Sequence, residues 1–294
     1  MSKPWYTSFK NDKIDIIPIP FIKFYNYRKL TKLIISKLGK NEVVLFSAQL
    51  FAFKNKLNTF WLVKFIKSLK KSGIKIGVYF EDTTITYKLY KTWKWIERVL
   101  LPLVDYKATY CLQDSKSFNI PFVNPVFDEK FACSDEKKYD LVLICSTPKG
   151  RVDTLLSIFK NPRFSLIRSF LYARDSFGLL NEKEKVCPQN SKISHINYWP
   201  YTNTILFLKG PGDYFSSAQC FCIKNNIKLL TDCEFTYNLI NDPKKVKLIK
   251  DWKNISDEDI LWCKEVDNTP YSEEAKKLVD WNCFAQHFLD LVNN

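Results

Sequence analysis

Short apolar runs alternate with stretches of helical period along most of this 294-residue chain. From Tyr25 to Leu38 apolar side chains recur every three to four residues among lysines, which predicts an amphipathic helix. Glu42 to Ala52 is β-branched and aromatic and predicts a strand. Helical spacing resumes from Thr59 to Ser72 and Gly73 ends it. Ile74 to Phe80, IKIGVYF, then reads as a strand running directly into Glu81 and Asp82. Tyr87 to Leu101, rich in Trp and Tyr, predicts a further helix closed by Pro102, and Asp105 to Cys111 a short strand. This order is a β/α alternation.

Asp114 to Phe131 holds Pro121 and Pro125, which oppose helix, and is expected to be an extended interdomain linker. A second alternation starts at Tyr139, with a helix from about Val152 to Phe159 and a strand at Phe164 to Phe170. Lys183 to Ser194 is polar and irregular. Thr204 to Leu208 predicts a strand, Lys209 to Tyr214 a glycine-containing loop, Ser216 to Lys224 a helix and Ile227 to Leu230 a strand, with mostly helix after Asp242-Pro243. The expected organisation is an N-terminal domain over 1–133, a second domain over 134–271, and a C-terminal helix over 272–294 that packs back on the first.

An aromatic fraction of 16% and a hydrophobic fraction of 46% argue for folded domains. No apolar run is long and uninterrupted enough to span a bilayer, and the amino terminus lacks a signal-peptide pattern, so a soluble cytoplasmic protein is expected, in the host cytoplasm if the chain is viral. Nine cysteines without a CxxC pair read as reduced core thiols, and two histidines, His195 and His287, leave little material for a His-rich metal site or a Ser-His-Asp triad. No dedicated metal site is identified, although a divalent ion could assist. The net charge of +14 is uneven: residues 1–80 hold 16 Lys or Arg and three acids. Such a face attracts a polyanion, nucleic acid or an anionic membrane. Lys54, Lys56, Lys88 and Lys91 are the candidate contacts.

Candidate chemistry centres on YDLVLICSTPKGR, Tyr139 to Arg151. Leu141 to Ile144 read as a buried parallel strand, and Ser146, Thr147, Lys149 and Arg151 lie where its carboxyl end meets the next helix, the edge at which open α/β sheets bind ligands. Backbone N–H groups at a helix start with two cations beside them suit a diphosphate.

The order of a strand ending in acid, an IPFVNPVFDEKF segment, YDLVLICSTPKGR, ILFLKGPGDY and IKLLTDCEF resembles the GT-B glycosyltransferases, and within them the bacteriophage DNA (hydroxymethylcytosine) glucosyltransferase type. FSAQLFAF before the acid strand and LLTDCEFTYNLIND after the glycine loop extend the likeness in patches over residues 40–245. The resemblance implies two Rossmann-like domains with a cleft between them. It also implies transfer from a nucleotide-diphosphate sugar, UDP-glucose above all, to a hydroxyl on modified double-stranded DNA. It places a general base on Asp82, with Glu81 the alternative, and donor-diphosphate contacts on Ser146 and Arg151 helped by Lys149. The donor loop falls on Lys209 to Ser217, KGPGDYFSS: Lys209, Gly210, Gly212, Asp213, Tyr214, Ser216 and Ser217.

The chain departs from the family in two places. The helix after the loop should carry an arginine and a ribose-holding glutamate, yet reads SAQCFC from Ser217 to Cys222, and the glycine-rich turn near the amino terminus is missing. Either Gln219 substitutes as a polar contact, or the donor differs, or the site is degenerate. Three readings follow: a transferase acting on modified DNA, with Tyr90, Trp93 and Trp95 as candidate platforms for an unstacked base; one acting on surface polysaccharide or lipid-linked sugar; and an inactive DNA-binding module.

Overall fold

A computed structural model of the chain describes residues 26–38, 43–47, 56–80, 94, 96–126, 133–146, 151–174, 195–210 and 212–293. The protein is α/β, and its described residues form two wholly parallel sheets in two compact units. One unit takes in the described residues of Lys3–Pro125 and Trp281–Asn294, the other Val126–Asp280.

In the first unit, helix α1 (Tyr27–Ile35), strand β1 (Val43–Ser47), helix α2 (Lys56–Lys71), strand β2 (Lys75–Phe80) and strand β3 (Tyr106–Thr109) build a sheet of order β1-β2-β3. Gly73 at φ +80° lets the chain leave α2, its N–H closing on Lys70 O and the next N–H on Leu69 O before β2 begins. The strand β2 is buried on both faces because both are covered. Ile76, Val78 and Phe80 join Leu30 and Ile34 of α1 and Leu62, Phe65, Ile66 and Leu69 of α2 in one core. Tyr79 points the other way, with its ring edge-on to Phe284 and Phe288 and its hydroxyl donating to Val123 O at 2.9 Å. Those two phenylalanines belong to the C-terminal helix, so a single tyrosine ties the centre of the sheet to the chain's last element.

The second unit runs β4 (Tyr139–Ser146), α4 (Val152–Phe159), β5 (Ser169–Arg174), β6 (Thr202–Phe207), α5 (Ser217–Lys224), β7 (Lys228–Thr231), α6 (Glu234–Ile240), β8 (Val246–Leu248), α7 (Asp257–Lys264) and α8 (Glu273–Lys277), and α9 (Trp281–Asn293) returns to the first unit. A helix preceding β4, α3 (Leu112–Phe118), lies in the first unit. The sheet order is β5-β4-β6-β7-β8, a doubly wound arrangement. Strand period decides which helices each side chain meets. Leu141 and Leu143, Leu206 and Leu230 face Leu155 and Ile158 of α4 and Ile260 and Cys263 of α7. Val142, Ile205, Phe207 and Leu229 face Ala218, Cys220 and Phe221 of α5 and Ala275 of α8.

Several expectations change. The stretch from Asp114 is no extended linker: α3 runs through it to Phe118, and Asn119 at φ 50° ends the helix two residues before Pro121. Phe122 then bridges Thr109 in parallel, and Ile120, Val123 and Val126 are buried. Proline restricts its own neighbourhood and leaves the preceding turn free to be helical. The strand expected at Phe164 to Phe170 begins only at Ser169, because Pro162–Leu166 forms a 3₁₀ turn capped by Asn161. The region after Pro243 contains β8, three residues with Val246 buried, too short to carry a period of its own. Residues 272–280 stay in the second unit, with Ala275 and Val279 in its core beside Tyr271, and only α9 packs on the first.

Candidate functional site

A sheet of this order reverses its winding between β4 and β6, and the carboxyl edge at that point is where such folds bind ligands. Four segments converge there: the end of β4 at Ser146, the start of α4 at Arg151, the loop from Leu208 to Ser216 after β6, and the end of β7 at Thr231.

Arg151 is 8% exposed, and its guanidinium turns across to the end of β6. Nε donates to Lys209 O at 2.6 Å, and Nη2 donates to Leu208 O at 2.6 Å and to the Tyr214 hydroxyl at 3.3 Å. Three of its five N–H donors thus fix the loop, and Nη1 remains. Asp232 holds the same loop from β7, accepting from Lys209 N at 2.6 Å and from Trp252 Nε1 at 3.2 Å. The loop closes on itself as well. A Cβ on Gly210 would lie 2.1 Å from the Tyr214 ring, so only glycine lets that ring cross the backbone, and the ring stands edge-on to Phe207.

Ser216 caps α5, and Gln219 completes a capping box. Gln219 is fully buried: Oε1 accepts from Ser216 N at 2.9 Å and from the Ser216 hydroxyl, and Nε2 donates to Thr236 Oγ1 at 3.1 Å and Tyr214 O at 3.4 Å. Both ends of its amide are spent inside the protein. Gln219 therefore does not replace the expected ribose-holding acid as an open polar contact. Sequence alone cannot separate a ligand-facing glutamine from a capping one, since S-x-x-Q suits both.

The groups that face solvent at this edge are Lys209, whose ammonium lies 3.7 Å from Asp213, and Ser217 in the first turn of α5. Gly212 is buried. Burial, which favours the protonated form, pushes the Cys145 thiol on β4 up to about 11 against the opposing pull of Arg151. What converges is a hydrogen-bond-donating edge that carries two cations, Arg151 and Lys209, beside two carboxylates, Asp213 and Asp232, on a loop pinned from both sides.

Glu81, Asp82, Lys149, Lys54, Lys88, Lys91, Tyr90, Trp93 and Trp95 lie outside the described residues, as do the side chains of Lys56 and Ser146. The backbone of Ser146 ends β4, paired with Arg174. Asp232 and the carbonyls of Leu208 and Lys209 were not anticipated from the sequence; the signal for Asp232 was its place directly after the strand ending at Thr231. Among the described residues no group of three His, Cys, Asp or Glu side chains could hold a metal ion, and no helix is long and apolar enough to cross a membrane.

No family model and no curated protein matches the chain. Among solved structures, one described as an S. aureus MnaA–UDP co-structure matches at a TM-score of 0.38 and 11% identity, covering 96% of this chain and 83% of that one.

Proposed function

We propose that the protein is a glycosyltransferase of the GT-B type. It moves a sugar from a nucleotide-diphosphate donor, a UDP-sugar, to a hydroxyl on hydroxymethylated or glucosylated DNA. The observation that carries this reading is the doubly wound second unit whose switch-point edge presents Arg151, Lys209 and the start of α5 together. A leaving diphosphate gathers negative charge as the glycosidic bond breaks, and fixed donors and cations stabilise that charge most where it develops.

In this reading Arg151 works in two ways. It holds the Leu208–Ser216 loop in its bound shape and turns Nη1 toward the phosphates, while Lys209 and the Ser217 hydroxyl complete the anion's surroundings. Asp82, two residues past the end of the central strand β2, takes the proton from the acceptor hydroxyl, with Glu81 beside it in sequence. The DNA acceptor rests on the charge of residues 1–80, since a neutral sugar acceptor gains nothing from so large an excess of cations.

The test is transfer of radiolabel from a panel of nucleotide sugars to unmodified, hydroxymethylated and glucosylated duplex DNA, with lipid-linked and soluble glycans alongside. Label on modified DNA alone is the expected result. Label only on a glycan moves the acceptor to polysaccharide or lipid-linked sugar, and no protection of the protein by any donor leaves a DNA-binding module without transfer.

A further inference from the structure

Outside the candidate site, the most distinctive surface of the described residues is the outer side of α1 and α2. The inner stripe of α2, Leu62, Phe65, Ile66 and Leu69, is buried against β2. The opposite stripe is Phe60, Lys64, Lys67 and Lys71, spaced at i, i+4, i+7 and i+11, so it runs as one line of about 16 Å along the helix. Phe60 is 49% exposed and Lys64 sits 4.5 Å from its ring centroid. The helix α1 lies alongside, its Tyr27 stacked on Trp61 at 5.8 Å, and adds exposed Arg28, Lys29 and Lys32, with Lys37 just past its end. The Tyr27 phenol lies below its ordinary range, drawn down first by its bond to Arg28 and then by Lys64 and Lys71, which places cations of both helices around one ring.

Neither helix contains an acid. Lys70 pairs with Asp105, but Arg28, Lys29, Lys32, Lys37, Lys64, Lys67 and Lys71 form no ion pair among the described residues. Seven cations with no counter-charge among the described residues repel one another, a cost that a polyanion would offset.

We propose that the Phe60–Lys64–Lys67–Lys71 stripe of α2, with the flanking cations of α1, is a nucleic-acid docking surface: the lysines meet successive phosphates and Phe60 stacks an unpaired base at one end. This rests on the reading of a DNA acceptor and adds to it a binding surface on the helical layer. An anionic bilayer is the other polyanion to weigh. It needs several apolar side chains to enter the acyl region, whereas Leu30 and Ile34 of α1 and Leu62, Phe65, Ile66 and Leu69 of α2 are consumed in the core. What the two helices leave open is Phe60, the single strongly exposed aromatic of the described residues, with Leu33 and Ile35 of α1 each only 38% exposed. Charge dominates this face, and a phosphate-lined strand is the partner matched to it. Phe60 next to lysines is the pairing by which single strands are held, stacking on the ring and charge on the backbone.

The experiment is fluorescence anisotropy of the full chain with labelled 30-nucleotide single-stranded and duplex DNA across a salt series, beside co-sedimentation with vesicles of anionic phospholipid. Lys64→Glu/Lys67→Glu/Lys71→Glu is expected to weaken both DNAs by about tenfold or more at low salt, and to flatten the log–log salt slope by roughly 2 to 3. Phe60→Ser is expected to weaken the single strand about fivefold or more and leave the duplex unchanged. Lys250→Glu/Lys253→Glu, exposed in the second unit, serves as the control with no expected effect. Circular dichroism confirms that each variant is folded. A folded triple variant with wild-type affinity and slope overturns the proposal, as does binding to vesicles without binding to either DNA. The two readings fail separately: label transfer to modified DNA by a protein whose stripe is silent overturns the docking surface alone. Stripe-dependent DNA binding without transfer from any donor overturns the transferase alone.

Discussion

The guanidinium of Arg151 donates to the backbone carbonyl of Lys209 at 2.6 Å, joining the first residue after one loop of the candidate site to the strand end that opens the next. The two residues are 58 apart in sequence, and with the Leu208 carbonyl they make a buried, charge-assisted junction at the point where the sheet reverses its winding. Arg151→Ala leaves two inward-facing carbonyls unpaired and is expected to cost about 2–4 kcal/mol. Urea denaturation measures this. Arg151→Lys, which replaces a planar fork by a single ammonium, recovers only part of the loss.

Gly210 tests how closely the same loop packs. Gly210→Ala drives a methyl group into the Tyr214 ring, so the ring must leave its place and its contact with Arg151 goes with it. A loss of about 1–3 kcal/mol is expected. In a Tyr214→Ala background the same substitution costs much less, and a double-mutant cycle of unfolding free energies gives the coupling. Equal costs in the two backgrounds would place the strain elsewhere.

Placing an acid at Gln219 is expected to harm the protein. Glu at this buried position loses the amide donor that meets Thr236 and Tyr214 and brings a carboxyl into a dry site. Burial raises a carboxyl's pKa above its unfolded value near 4.3, so the folded state resists ionisation and the destabilisation grows as pH rises past that value. Thermal melts of Gln219→Glu at pH 4 and pH 7 should therefore differ from the wild type far more at pH 7.

Acid should loosen the second unit through Asp259 and Asp267. Burial pushes each carboxyl up, but hydrogen bonds and an ammonium outweigh it and hold both below the ordinary range: Lys247 and Ser256 for Asp259, Thr269 and Lys245 for Asp267. A depressed carboxyl contributes stability that is present above its unfolded pKa near 3.9 and is lost as pH falls through the folded value. Melting temperature should drop below about pH 4, and the drop should be shallower in Asp259→Asn/Asp267→Asn, whose stability at pH 7 is already lower.

Lys245 carries the matching cost at its own end. It is 1% exposed, with its ammonium on Asn226 O at 3.1 Å, Asp267 O at 2.8 Å and the Asp267 carboxylate at 3.1 Å. Lys245→Met keeps the packing against Tyr271 and strips those partners, which should cost about 2–4 kcal/mol by chemical denaturation.

The β/α order is legible in the chain's apolar pattern, because a strand buried on both faces, such as Leu141 to Leu143, leaves an unbroken apolar run that no surface element needs. That pattern also marked strand–loop–helix edges at Ser146 and at Lys209 to Ser216, where polar and glycine residues interrupt those runs. It could not reveal β8, too short for a period, or the helical turn ahead of Pro121, since a proline's effect is local. The tertiary structure alone decided which polar groups at those edges stay open. Arg151 and Gln219 look alike in sequence as ligand contacts, but Gln219 spends both ends of its amide on the protein, out to Thr236, 17 residues away, whereas Arg151 spends Nε and Nη2 on a loop 58 residues away and keeps Nη1.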